Sequence, residues 1–205
     1  MVKINEGKMA VISVDMHRGH LDSEVATLPL DADRSETLIK NTEILFKELR
    51  SKGIPIIHVV QTVRGSWEML NNPYFRIKMK EGEASRSGAV NHNFVGSPGT
   101  EIIPSLYEEG DYEIRTKKRF SSFYATDLDF LLKSLEIKSV LLTGINTNSC
   151  VLCTAFEAHK LDYKVLMAKD CVDSMDGERL HRYALAVFEE AIGWAYSNQE
   201  IIESL

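Results

Sequence analysis

Five short runs of apolar and β-branched residues, separated by stretches of helical periodicity, constrain what this chain can fold into more than any other feature. They are MAVISVD (9–15), IPIIHVVQT (54–62), YEIRT (112–116), SVLLTGI (139–145) and YKVLMAK (163–169). Such runs are the pattern of strands buried on both faces of a sheet, since a half-exposed strand alternates polar and apolar residues. Between them, SETLIKNTEILFKELRSKG closes on Gly53 as a C-cap, TDLDFLLKSLEI opens with Thr126 as an N-cap, and SCVLCTAFEAHKLD follows the fourth run. Strands alternating with helices predict an α/β fold with a mostly parallel central sheet covered by helices on both faces. Residues 65–104 scatter Gly, Asn, Pro and Ser over more length than a structureless connection usually has, which predicts a covering segment with some local helix. No repeat or linker divides the 205 residues, so residues 1–205 read as a single domain.

The net charge of -6 includes no block of like charges, which excludes the electrostatic footprint of a nucleic-acid binder. The stretch MVKINEGKMAVISVD lacks the basic, apolar and small-residue sections of a signal peptide, and no apolar run is as long as a membrane span. A cytoplasmic protein without membrane partners is expected. Three cysteines in a reducing compartment argue against a disulfide framework, and each thiol needs its own account.

Ligands of parallel sheets sit at the carboxyl ends of the strands. Asp15 ends the first run, Lys117 follows the third, and Cys150 lies just past the fourth at the start of a helical pattern, so all three converge on one edge. A thiol there feels the positive end of the helix dipole, and a nearby ammonium favours the thiolate, so a pKa below the free value of about 8.5 is expected. A carboxylate within reach can take the thiol proton and return it to a leaving nitrogen. Amides at the helix start, that of Cys150 included, can hold an oxyanion. Taken alone, each residue has a plainer reading: Asp15 as a turn residue, Lys117 as a solvated charge within KKR, Cys150 as packing. Their convergence favours catalysis. Cys150-x-x-Cys153 also fits thiol redox chemistry if both thiols are accessible, although the bulky residues between them point to Cys153 as packing. No second Cys pair or closely spaced His pair completes a zinc set. Cys171 reads as strand-end packing, and Phe156 stands where a Cys-x5-Arg phosphate loop needs its arginine.

VISVDMHRGHL, KKRFSSFYATDLDFLL and LLTGINTNSCVLCTAFEAHKLDYKVLMAKDCVDS, in that order, resemble the cysteine hydrolases of the isochorismatase-like superfamily, over nearly the whole chain from Met9 onward. The order Asp, Lys, Cys carries the likeness, together with the patterns K-x-x-F-S-x-F and T-G-x-x-T-x-x-C-V. The resemblance implies a Rossmann-like three-layer fold and a catalytic triad of Asp15, Lys117 and Cys150. It also implies a cis peptide between Ile145 and Asn146 that turns the Asn146 amide, beside that of Cys150, toward an oxyanion. Lys118 is the alternative lysine, and the position four residues before Ser121 favours Lys117. Asn146 and Phe123 are the substrate-binding residues it suggests, with core packing the other reading of Phe123. Nicotinamidases carry a metal-binding Asp-x-His after the second strand, where this chain has HVVQTVRGSWEML, so no metal and no cofactor are expected. Isochorismatases proper lack the nucleophilic cysteine. The implied activity is that of the metal-free amidases: hydrolysis of a small linear amide or ureide through a thioester. Relatives in that branch act on biuret, N-carbamoylsarcosine or ureidoacrylate, and the G-x-N-T-x-x-C and DSMDGERLH stretches look most like the biuret side. Such relatives are commonly dimers or tetramers, so a homo-oligomer is expected. Two other function classes stay open: a catalytically silent binding or assembly subunit, which would have lost a triad member, and the thiol redox protein above.

Overall fold

The computed structural model describes residues 7–81 and 86–205. The first six residues, part of the stretch read for targeting, and residues 82–85 of the covering segment lie outside the described residues. One sheet contains β1 (Met9–Val14), β2 (Ile56–Gln61), β3 (Tyr112–Lys117), β4 (Ser139–Ile145), β5 (Lys164–Asp173) and β6 (Trp194–Tyr196). Its spatial order is β3-β2-β1-β4-β5-β6, and every neighbouring pair is parallel. All residues of β1, β2 and β4 are buried, as their unbroken apolar runs require. β5 continues past the expected end at Lys169 to Asp173, across a register shift between Leu142 and Gly144. β6 is an addition that no apolar run announces. At Gly144 the chain takes φ +112, and a Cβ there would stand 2.0 Å from the Val14 carbonyl oxygen, so only glycine lets β4 lie this close to β1.

The helices in chain order are α1 (Arg18–Leu21), α2 (Ala32–Ser51), α3 (Ser66–Leu70), α4 (Pro73–Glu81), α5 (Leu128–Ser134), α6 (Leu152–Lys160), α7 (Glu178–Ala191) and α8 (Asn198–Glu203). On one face of the sheet, Leu38, Leu45, Phe46 and Leu49 of α2 recur at helical spacing and share a cluster with Val11, Ile56, Leu141, Leu166 and Ile201 of α8. On the other, Ile12, Val14, Leu142 and Met167 meet Leu128, Leu132, Ala155, Ala158 and Phe188 from α5, α6 and α7. Each large apolar side chain buried this fully contributes about 1.5–3 kcal/mol, so the three layers are held from both sides. α2 starts ahead of Ser35 because Asp31 caps it, its carboxylate accepting the Asp33 N–H at 3.2 Å. It ends, as expected, ahead of a left-handed Gly53 with φ 71. α5 opens at Leu128, whose N–H is accepted by the Thr126 hydroxyl at 3.3 Å. The covering segment holds α3, α4 and short 3-10 turns at Ser87–Asn91, Pro98–Thr100 and Pro104–Leu106. Met69 and Ala89 from it form a small cluster of their own with Leu28 and Val63. Among the described residues, no helix is long and apolar enough to cross a membrane.

β1 and β4 are neighbours, yet the chain leaves β1 toward β2 and leaves β4 toward β5 on the opposite side. The carboxyl ends of this pair therefore open a crevice at a topological switch point, the place where such sheets bind ligands.

Candidate active site

Asp15, Lys117 and Cys150 meet in that crevice. Lys117 Nζ lies 2.5 Å from Asp15 Oδ2 and 3.3 Å from Cys150 Sγ, with all three residues buried. Asp15 follows β1 in a left-handed conformation, φ 55, and its Oδ1 accepts the Gln61 N–H at 2.8 Å. Lys117 ends β3, where only it and Ile114 are buried. Lys118 is committed elsewhere: its Nζ donates to the Thr62 carbonyl at 2.6 Å and to the Thr62 hydroxyl at 3.0 Å. The choice between the two lysines thus falls on Lys117.

Cys150 does not open an α-helix. It sits in a π-helical turn, Thr147–Val151, ahead of α6, and this turn winds round the Asn146 carbonyl, which accepts from Ser149 N at 3.0 Å and Val151 N at 3.1 Å. The Ile145–Asn146 peptide is cis. Thr154 of α6 ties two motifs together: its hydroxyl donates to the Cys150 carbonyl at 2.7 Å and accepts the Ser122 N–H at 3.0 Å. The segment after Lys117 is thereby moored to α6 and to the turn that carries Cys150.

Burial pushes the Cys150 thiol up to about 12; Lys117 opposes this, and the hydrogen-bonded Asp15 reinforces it. The expectation of a thiolate near neutral pH is corrected accordingly. A buried anion loses its hydration, and the one ammonium in reach is already shared with Asp15. For Lys117, burial works against the charge, but Asp15 and then Cys150 outweigh it and raise the pKa. The resting site is an ion pair beside a neutral thiol.

Beneath the covering segment lies a small chamber of about 20 Å³, bordered by Cys150, Asn146, Gln61, His20, His92 and Arg86. It shares Gln61, Met69, Phe75 and Phe120 with an outer cavity of about 330 Å³ that reaches Cys153. Phe123 borders neither. It is 8% exposed, belongs to the core, and packs on Tyr163 with ring centroids 6.1 Å apart. The expectation of Phe123 as a pocket wall is therefore corrected to Phe120, three residues earlier, where the chain has not yet turned inward. Asn146 does border the chamber, with its Oδ1 accepting the Met175 N–H at 2.8 Å. Cys153 is half-buried in the outer cavity while Cys150 is 4% exposed, so the two accessible thiols that redox cycling needs are not present. Cys171 is fully buried, with Sγ 3.1 Å from Asn198 Oδ1.

Arg86 fastens the covering segment over the chamber by pairing with Asp176 and donating to Ser149 Oγ at 3.1 Å. Its guanidinium lies 5.7 Å from the centre of the Phe120 ring. Asp176 also accepts from Asn148 Nδ2 at 2.8 Å, and Ser174 Oγ donates to Asn148 Oδ1 at 2.6 Å. The DSMDGERLH stretch thus braces the turn that holds Cys150.

The fold also gathers His17, His20 and His92, all buried, into one cluster. The expectation from the sequence is that no closely spaced His pair completes a zinc set; in the fold, His17 and His20 stand one helical turn apart, and a third imidazole arrives from the covering segment. Burial holds His17 well below the ordinary imidazole pKa and lowers His20 and His92 as well.

A crystal structure of an isochorismatase-like hydrolase from Alkaliphilus metalliredigens superposes with a TM-score of 0.76 at 26% identity, covering 96% of this chain and 98% of that one. The uncharacterized isochorismatase family protein YwoC of Bacillus subtilis is 25% identical over 205 residues, 100% of this chain and 97% of that protein. Ureidoacrylate amidohydrolase RutB of Pantoea ananatis is 26% identical over 207 residues, 92% of this chain and 78% of that protein. The isochorismatase domain matches residues 9–200, and with that match over nearly its whole length the chain belongs to the isochorismatase family.

Proposed function

We propose that the protein hydrolyses the C–N bond of a small linear amide or ureide through a cysteine thioester. The observation that carries this reading is the buried Lys117 ammonium, in contact with both Asp15 and Cys150. Because the resting thiol is neutral, attack is coupled to proton loss: Asp15 takes the thiol proton as Sγ bonds to the substrate carbonyl carbon. The backbone amides of Asn146 and Cys150 receive the oxyanion, and Lys117 steadies the charge that builds on sulfur. Asp15 then gives the proton to the leaving nitrogen, the C–N bond breaks, and ammonia or an amine departs. Water, losing a proton to Asp15, attacks the thioester carbonyl. The C–S bond breaks, the proton returns to sulfur, and the acid leaves. A catalytically silent relative would have lost part of this set, and all three members stand in contact.

A compact substrate of the biuret or N-carbamoyl type would occupy the chamber together with the adjoining outer cavity, because the chamber alone, at about 20 Å³, has room for about one water. Gln61, Asn146, His20 and His92 border the chamber with side chains able to hydrogen-bond, and a site that pairs urea-like N–H and C=O groups rejects molecules that leave those groups unpaired. The RutB relative, by its name, acts on ureidoacrylate, a ureide. The test is ammonia release from biuret, an N-carbamoyl amino acid, ureidoacrylate, maleamate and nicotinamide at equal concentration, with wild type and Cys150→Ala. A ureide or carbamoyl compound should turn over fastest, and only in wild type. A preference for nicotinamide of about tenfold or more in kcat/KM would overturn the substrate class. Release that persists in Cys150→Ala would overturn the cysteine mechanism.

A further inference from the structure

Three imidazoles that move no proton in the steps above stand together beside the chamber, with His20 and His92 on its wall. His17 and His20 belong to the cap and last turn of α1, and His92 follows the turn Ser87–Asn91. None is more than 4% exposed. One ligand-capable nitrogen from each lies within 4.8 Å of the others, and the ring centroids are 4.5, 4.9 and 5.5 Å apart. Three imidazoles round one tetrahedral ion, with N–metal bonds of about 2.0–2.1 Å, place their centroids roughly 5 Å apart.

Hydrogen bonding leaves a ring lone pair available on His20 and on His92. A carbonyl can only accept, so His20 Nδ1, 2.7 Å from the Leu28 oxygen, must carry the ring proton, and Nε2 is unprotonated. His92 Nδ1 is 2.8 Å from Thr27 Oγ1, and its Nε2 is buried without a hydrogen-bond partner, a condition that protein interiors rarely leave unexplained. His17 Nε2 accepts from Asn93 Nδ2 at 2.8 Å. Asn93 Nδ2 also donates to the Gln61 carbonyl at 3.0 Å, so Asn93 stays anchored if His17 turns to an ion. A carbonyl or hydroxyl behind a metal-bound imidazole is the partner that fixes its orientation, and Leu28 and Thr27 provide one each. Asp15 Oδ1 lies 3.8 Å from His17 Nε2, but its two oxygens already bond Gln61 and Lys117, so it is not counted as a ligand.

We propose that His17, His20 and His92 bind one first-row divalent ion of the zinc class, with a fourth position open to the chamber. Three neutral nitrogens without a carboxylate favour Zn²⁺ or Co²⁺ over Mg²⁺ or Ca²⁺. His20 and His92 border the chamber together with Cys150, so the open position faces whatever occupies it and would hold an oxygen of that molecule. The ligands come from α1 and the covering segment, not from an Asp-x-His after the second strand.

The test counts metal directly, without an activity assay. The full chain is stripped with a chelator, dialysed, and titrated with Zn²⁺ and separately with Co²⁺. Elemental analysis gives the stoichiometry, and the visible absorption of Co²⁺ reports four-coordinate nitrogen ligation. Expected are one equivalent per chain in wild type and in Cys150→Ser, and affinity weaker by at least about 100-fold in His20→Ala and His92→Ala. Circular dichroism checks that the variants are folded, and His92→Gln replaces the alanine variant if that one is not. Wild type that takes up no zinc overturns the proposal. So does binding that survives both histidine variants and vanishes in Cys150→Ser, which would place the ion on the thiol.

Discussion

Replacing Lys117 by methionine removes the charge at the centre of the site and little of its volume. Neither side chain of the Lys117–Asp15 pair is exposed, and their charged atoms are 2.5 Å apart. At an effective dielectric of about 20, that separation corresponds to roughly 7 kcal/mol of attraction, most of which offsets the lost hydration of the two ions. The intact pair is therefore close to neutral for stability, but half of it is not: Lys117→Met leaves Asp15 buried without a cation, with the Gln61 N–H and the neutral Cys150 thiol as donors. Stranding a buried charge in this way costs about 3–5 kcal/mol, a large share of a typical total of about 5–15. For a chain of this length, the loss corresponds to a fall in Tm of roughly 6–20 °C. Asp15→Asn/Lys117→Met should recover most of it, because the amide oxygen of the introduced asparagine still accepts the Gln61 N–H and no charge remains stranded. The assay is urea unfolding followed by circular dichroism, with the slopes compared to confirm that the denatured states match. Both variants should be inactive, which separates the stability effect from the chemistry. If Lys117→Met unfolded within about 1 kcal/mol of wild type, as an exposed pair would allow, and the double variant were no better, the coupling inferred from the geometry would be refuted.

Cys150→Ala should abolish turnover with little change in Tm, and Cys153→Ala should retain it; equal loss in both would instead favour a working dithiol. Because burial pushes the Cys150 thiol up to about 12, its alkylation by iodoacetamide in the free protein should rise about tenfold per pH unit from neutrality with no plateau near the free-thiol value. A midpoint at or below about 8.5 would mean that Lys117 and the turn overcome desolvation after all. Burial depresses the pKa values of His17, His20 and His92, so the stability they lend is complete above about pH 6.5 and is lost as pH falls. The slope is up to about 1.4 kcal/mol per pH unit for each imidazole. Urea midpoints of chelator-treated protein measured downward from neutral pH should drop accordingly, and a flat profile would contradict neutral burial.

Much of this fold is legible in the sequence because interior parallel strands cannot alternate. β1, β2 and β4 announce themselves as unbroken apolar runs, and Asp15 and Cys150 then follow from the rule that binding residues gather past strand ends. β6 is illegible for the opposite reason: three residues, one of them exposed, leave no run to see. The environment of the triad is equally invisible. A cysteine just past a strand reads as an activated thiol, and only the packed structure shows that it is desolvated, in a π-helical turn, with its cation shared. Phe120 and Phe123 occupy the same motif, and nothing in their identity tells which one turns inward. The histidine cluster did leave one local signal, His17 and His20 at a helical spacing, but its third member lies 72 residues beyond His20 and is joined to it only by the fold.

β3 is an outer strand of the sheet, with β2 as its one strand partner among the described residues, and only Ile114 and Lys117 of its six residues are buried. Elements with few buried contacts open before the rest of a structure does. If β3 frays, Lys117 leaves with it, while Asp15 and Cys150 stay in the connections that follow the interior strands β1 and β4. Denaturant too dilute to unfold the sheet would then silence the protein, and amide exchange along β3 would follow the same opening. The lysine makes turnover a gauge of how tightly the rim of the sheet is closed.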